Sequence, residues 1–177
     1  MGVIGKARPA LRICSIMFGN KKSLAEGLEG LEDLVGPCNP LGPELPFDFT
    51  GYYEPEFGCN LKRMFFILPG LAEPDKLIDL KLATNRIEER LSLDGRRTVN
   101  IDPGNLELNR FSLATTKDAP HRLFLARGIY AELTLIFESG GFKPLPWTYP
   151  DYASEQVRSL LLVARKAYLE LLKRDVR

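Results

Sequence analysis

The sequence predicts an α+β domain: a largely antiparallel sheet, ferredoxin-like in order at its start and then a β-meander, with about three helices packed on one face. Three observations carry this. Short apolar or aromatic runs of strand length recur between clusters of Gly, Pro, Asn and Asp. Two turn signals, Asp102-Pro103-Gly104-Asn105 and Arg127-Gly128, fall between such runs, where neighbouring strands must reverse. Three further segments repeat their apolar residues every three or four positions, as one face of a helix does.

In chain order, Leu11–Phe18 is a continuous apolar run and reads as a buried strand. Asn20 caps a helix with Leu24, Leu28, Leu31 and Val35 on one face, stopped by Gly36 and Pro37. Gly36 to Pro46 is too rich in glycine and proline for anything but loop. The aromatic-rich runs Phe47–Tyr53 and Leu61–Leu68 read as strands around Glu54–Asn60. Glu73-Pro74 opens a second helix on the stripe Leu77, Leu80, Thr84, Ile87 and Leu91, and Asp94-Gly95 closes it.

The meander follows. Arg97–Ile101 and Leu106–Thr115 flank a type II turn at Asp102–Asn105, with proline at the first corner and glycine at the second. Arg122–Ala126 and Ile129–Phe137 flank the two-residue turn Arg127-Gly128. Gly140–Pro150, with three prolines, reads as a linker. Ser154 caps a last helix on Val157, Leu160, Leu161, Ala164, Tyr168 and Leu171, with Lys173 and Arg174 suited to its negative end.

At 177 residues the chain makes one domain, 1–177, large enough for its own core. A net charge of +1 argues against a large nucleic-acid footprint. Cys14, Cys38 and Cys59 are too few and too scattered for a zinc tetrad or a disulfide framework. The first residues lack an apolar signal core and no run reaches membrane-spanning length, so a cytoplasmic location without membrane contact is expected.

The sharpest chemical reading concerns His121, the single histidine. With Ala126 opposite Ile129 across the Arg127-Gly128 turn, unbroken pairing sets Leu123 against Glu132 and His121 against Thr134. Alternation then puts His121, Tyr130, Glu132 and Thr134 on one face, with Ala131, Leu133 and Leu135 toward the core. Imidazole and carboxylate on adjacent strands suit a general acid/base pair, so His121 and Glu132 are the candidate catalytic residues. The bland reading, an idle polar sheet face, weighs slightly more for each residue alone and about equally for the group.

Arg63, Arg97, Lys117 and Arg122 are candidate anion-binding groups, guanidinium forks being matched to carboxylate or phosphate. Alternation sends Arg122 to the face opposite His121. The turn Thr115–Pro120 adds backbone N–H groups and hydroxyls beside Lys117. Surface solvation is the commoner fate of such residues. Tyr53 and Trp147, among five loop rings with Tyr52, Tyr149 and Tyr152, are candidate stacking walls, and Asn85 and Glu88 of the second helix either face a cleft or flank the core; aromatic rings in loops more often pin the loop to the core. Among the acids Glu54, Glu56, Asp102, Asp118, Glu132 and Asp151, Asp102 is read as a turn residue rather than as chemistry. No metal ligand set is assigned. Magnesium needs only one or two carboxylates plus phosphate and stays compatible, whereas zinc and a P-loop nucleotide site are disfavoured.

Several stretches together resemble one family. They are Thr50-Gly-Tyr-Tyr-Glu-Pro-Glu-Phe-Gly, Lys81-Leu-Ala-Thr-Asn-Arg-Ile-Glu, Arg97-Thr-Val-Asn-Ile-Asp-Pro-Gly, Leu113-Ala-Thr-Thr-Lys-Asp-Ala-Pro-His-Arg-Leu-Phe-Leu, Gly128-Ile-Tyr-Ala-Glu-Leu-Thr-Leu and Leu145-Pro-Trp-Thr-Tyr-Pro-Asp-Tyr. The family is the bacterial and archaeal domain of unknown function 4416. The resemblance spans nearly the whole chain and implies no reaction. Phe57 and Asn105 depart from its pattern, and neither is a candidate reactive group.

Three functions follow as expectations. The first is an enzyme acting on a small phosphorylated or carboxylated compound, nucleotides included, in a pocket on the sheet. The second is a non-catalytic module for nucleotide or RNA, nucleic acid being the less favoured partner. The third is a protein-interaction or self-assembling subunit using an exposed sheet edge.

Overall fold

The computed structural model describes residues 2–175, apart from the side chains of Tyr52 and Asp175. Its strands are β1 (Ala10–Phe18), β2 (Asn39–Pro40), β3 (Leu45–Pro46), β4 (Lys62–Ala72), β5 (Val99–Leu106), β6 (Arg110–Thr115), β7 (Arg122–Ala126), β8 (Ile129–Glu138) and β9 (Gly141–Pro144). Its helices are α1 (Lys21–Val35), α2 (Glu54–Phe57), α3 (Lys76–Arg90), α4 (Pro150–Ala153) and α5 (Glu155–Asp175). All the described strands join one sheet in the order β2-β4-β1-β5-β6-β8-β7, with β3 also on β4 and β9 also on β8. The pairings are antiparallel. No described helix is long and apolar enough to cross a membrane.

The α+β class and the antiparallel sheet are as expected, but the helices cover both faces. Leu11 and Ile13 of β1 pack with Phe65, Leu106 and the α5 residues Val157, Leu161, Ala164 and Tyr168. Cys14, Ile16 and Phe18 of the same strand pack with Phe66, Val99, Leu24 and Leu31 of α1 and Leu80 and Ile87 of α3. A strand covered on both sides has no reason to alternate, which is why β1 is apolar almost throughout. At the start of the chain the strands on either side of α1, β1 and the two-residue β2, run parallel with β4 between them, and β5 lies on the other side of β1.

The helix signals worked as local chemistry dictates. Asn20 Oδ1 accepts from the Ser23 N–H at 2.9 Å, and Ser154 Oγ accepts from the Val157 N–H at 3.2 Å. The loop Gly36 to Pro46 contains the two-residue strands β2 and β3.

Three expectations fail for stated reasons. Phe47–Tyr53 is not a strand: it ends in a 3-10 turn at Gly51–Tyr53 that leads into α2, where Pro55 sits in the first turn and costs no hydrogen bond. Its rings pin the loop instead, Phe47 to Tyr53 at 5.7 Å and Tyr53 to Phe57 at 5.9 Å. Asp102–Asn105 is not a turn but the middle of β5, and the chain reverses at Glu107–Arg110, where the Glu107 N–H bonds the Arg110 carbonyl at 2.9 Å. The β5–β6 ladder begins only at Gly104↔Leu113, so Pro103 costs no ladder bond on that side. Gly104 is required by contact: a Cβ there would lie 2.7 Å from both Phe111 Cζ and the Ser112 carbonyl. Finally, Gly140–Pro150 holds β9 and the start of α4 rather than a bare linker.

The Arg127-Gly128 turn forms, with φ of 52° and 77°. The ladder beyond it slips between Phe124 and Ala126, so Leu125 bulges out and Arg122, not Leu123, lies opposite Glu132.

Candidate functional site

Where β5 and β6 part, a cleft of about 280 Å³ opens. The half of β5 that β6 leaves unpaired contributes Asn100 and Asp102, and β6 with its following loop contributes Leu113 to Lys117. Arg63 of β4, Glu132 of β8, and Lys81, Asn85 and Glu88 of α3 reach it from neighbouring elements. Asp151 and Tyr152 of α4 close it from the other side.

The interior is an ionic network. Arg63, 5% exposed, directs Nη1 at Asp151 Oδ2 (2.7 Å) and Nη2 toward Asp102 (3.6 Å), and its guanidinium lies over the rings of Phe47 and Tyr152. Burial opposes its charge, but Asp151 and Asp102 outweigh that and hold it more firmly protonated. Lys81 Nζ donates to the Ile101 carbonyl at 2.9 Å and stands 3.6 Å from Asp102. Glu88 accepts the Ile101 N–H at 2.7 Å and Arg97 Nη1 at 3.0 Å; burial raises its pKa, with Lys81 pulling it back. Arg97 forks onto Glu56 at 2.7 and 2.8 Å, which holds the Glu56 carboxyl below its usual range. Asn100 links Arg97 to Asp102, accepting at 2.9 Å and donating at 2.6 Å.

On the other wall, Glu132 is 2% exposed. Its Oε2 accepts from Arg122 Nε at 2.9 Å and lies 3.3 Å from His121 Nε2, while its buried Oε1 has no hydrogen-bond partner among the described residues. Arg63 Nε is likewise buried without a partner. Unpaired buried polar atoms are uncommon enough in folded proteins that each calls for a reason.

Of the residues singled out from sequence, Arg63, Arg97, Lys117, Arg122, Tyr53, Asn85 and Glu132 line the cleft. His121, Tyr130, Thr134 and Trp147 do not. His121 sits behind Glu132, stacked on Trp147 with ring centroids 5.4 Å apart, and the indole N–H is tied to the Leu133 carbonyl at 2.8 Å. Tyr130 lies nearer the hairpin tip, edge-on to Phe124. Thr134 is fully buried, its hydroxyl on the Glu132 carbonyl at 3.2 Å. Arg122 reaches Glu132 because of the slipped register, against the expectation that it would face away. Nor is the lining predominantly basic. Arg63, Lys81, Arg97, Lys117 and Arg122 are matched by Glu88, Glu89, Asp102, Glu132 and Asp151.

Sequence reasoning missed Lys81 and Asn100, named Glu88, Asp151 and Tyr152 without settling on them as site residues, and dismissed Asp102 as a turn residue. One signal was there. Leu77, Lys81, Thr84 and Glu88 fall on a single helical stripe, and a lysine and a glutamate in a stripe otherwise bound for the core mark a buried polar site. Among the described residues, no three His, Cys, Asp or Glu side chains form a metal-ligand set. The sequence model of a family described as Domain of unknown function (DUF4416) matches residues 8–168. No curated protein and no solved structure matches the chain.

Proposed function

The chain belongs to that family, and from the cleft in its sheet we propose that it is an enzyme acting on a small ligand that carries a phosphate or carboxylate. The observation that supports this is the buried ion network, in which Glu132 Oε1 and Arg63 Nε have no hydrogen-bond partner among the described residues. Burying charge is expensive, and apolar packing of the same volume is often as stable or more so. Shifted groups such as Glu88 gathered in a cleft are what binding and catalysis require.

Arg63, Arg97, Lys117 and Arg122 supply the anion contacts. Glu132, with a spare oxygen, holds or moves a proton of the ligand. His121 touches Glu132 from behind and acts as a positioning residue, with Trp147 bracing it. Tyr53, its hydroxyl pushed up to about 12 by burial, remains a neutral donor at neutral pH. A cleft of this size lies at the low end for ligand pockets, which span roughly 300–1,000 Å³, and so favours a metabolite. Its charge-balanced lining offers no basic track for a polynucleotide.

A thermal-shift screen of sugar phosphates, nucleotides and organic acids, with and without Mg²⁺, tests this. A ligand present at about 100 times its Kd stabilises by about 2.7 kcal/mol. At least one anionic compound is expected to raise Tm, and Lys117→Met at the exposed rim is expected to remove that shift. Glu132→Gln should keep binding while conversion of the same compound, followed by NMR, stops. The absence of any anionic hit, or a shift that survives Lys117→Met, contradicts the reading; binding with no conversion by the wild type makes the chain a binding module.

A further inference from the structure

The outer strands of the sheet are protected unequally. β2 (Asn39–Pro40) and β3 (Leu45–Pro46), on the β4 side, are two residues long, and each ends in proline. β9, on the far side, carries Lys143 and Pro144. Short strands, prolines and lysines are the usual devices that keep a sheet edge from pairing with another chain. β7 carries no proline or lysine, and the bulge at Leu125 is its one irregularity. Among the described residues it pairs only with β8, and its central residues Leu123, Phe124 and Leu125 are 75%, 61% and 39% exposed.

We propose that β7 is a self-association edge and that two copies of the chain pair antiparallel through it. The occupant is argued from register. With Phe124 on the twofold axis, Phe124 faces the partner's Phe124, Leu123 faces the partner's Leu125, and Arg122 faces the partner's Ala126. Apolar residues then meet apolar residues and no like charges are opposed. Self-pairing also closes at two copies, because the other described outer strands are guarded, so association yields a dimer and not a fibre. The strand that would be stabilised carries Arg122 and follows His121, the two groups that grip Glu132. Pairing therefore orders one wall of the cleft without adding a residue to it.

Sedimentation of the full chain from micromolar to several hundred micromolar tests the proposal. The expected result is a doubling of mass, lost in Leu123→Lys/Phe124→Lys with an unchanged circular dichroism spectrum, since both side chains are exposed. A wild type that stays monomeric throughout, or a double variant that remains dimeric, overturns it. If the variant does not fold, hydrogen exchange on the wild type decides: β7 amides must exchange more slowly as concentration rises, and rates independent of concentration reject the pairing.

Discussion

The β1–β4 ladder and the β5–β6 ladder belong to one sheet and have opposite characters. The first pairs eight residues of β1 and is covered on both faces by apolar side chains. The second pairs three residues and then opens, and into the opening the molecule places Asp102, Asn100, Lys81, Glu88 and Arg63. Continuous pairing satisfies backbone groups and leaves side chains free to be apolar. Where pairing stops, side chains take over the backbone's hydrogen bonds, as Lys81 does for the Ile101 carbonyl and Glu88 for the Ile101 N–H. Stability is concentrated in one ladder, and polar chemistry gathers where the other lets go.

The contrast can be broken by mutation. Phe66→Ala, in the continuous ladder at 1% exposure, should cost about 4 kcal/mol, the range for truncating a core aromatic ring, read from urea unfolding. Asp151→Ala, in the cleft, should cost about 3 kcal/mol by stranding buried Arg63. The comparison sharpens in the double variant Arg63→Met/Asp151→Leu. If the ion pair serves binding and not stability, that variant should come within about 1 kcal/mol of wild type or exceed it; a double variant as unstable as Asp151→Ala would mean that the pair is structural.

The smallest effect concerns pH. Arg97 lowers the Glu56 pKa in the folded state, so this pair's stabilisation is present above the ordinary carboxylate range and is lost as pH falls through the depressed value. Glu56→Gln should therefore show a shallower loss of stability than wild type between pH ~6 and ~3 in denaturant titrations. Equal slopes would rule this contribution out.

Elements decided by neighbouring residues were legible in the sequence: the Asn20 and Ser154 caps, the α3 stripe and the Arg127-Gly128 turn all form. Asp102-Pro103-Gly104-Asn105 misled because proline and glycine serve two purposes. In a turn they set dihedral angles; in β5 the proline sits where pairing has stopped, and the glycine makes room for Phe111. About half the cleft was named from sequence, chiefly its arginines and Glu132. Lys81 was passed over, and Asp151 was given no partner, because the groups they meet lie on other elements, Asp151 meeting Arg63 from 88 positions away.

By itself the sequence determined what depends on a few consecutive residues: the three long helices, most of the long strands, and that the sheet is antiparallel. Only tertiary structure decided that helices cover both faces, that β5 runs straight through its Pro-Gly pair, and that one bulge at Leu125 turns Arg122 toward Glu132. The reason is one of range. Dihedral preference and amphipathic period are properties of neighbours, whereas register, burial and ion pairing are settled between strands and helices distant in the chain.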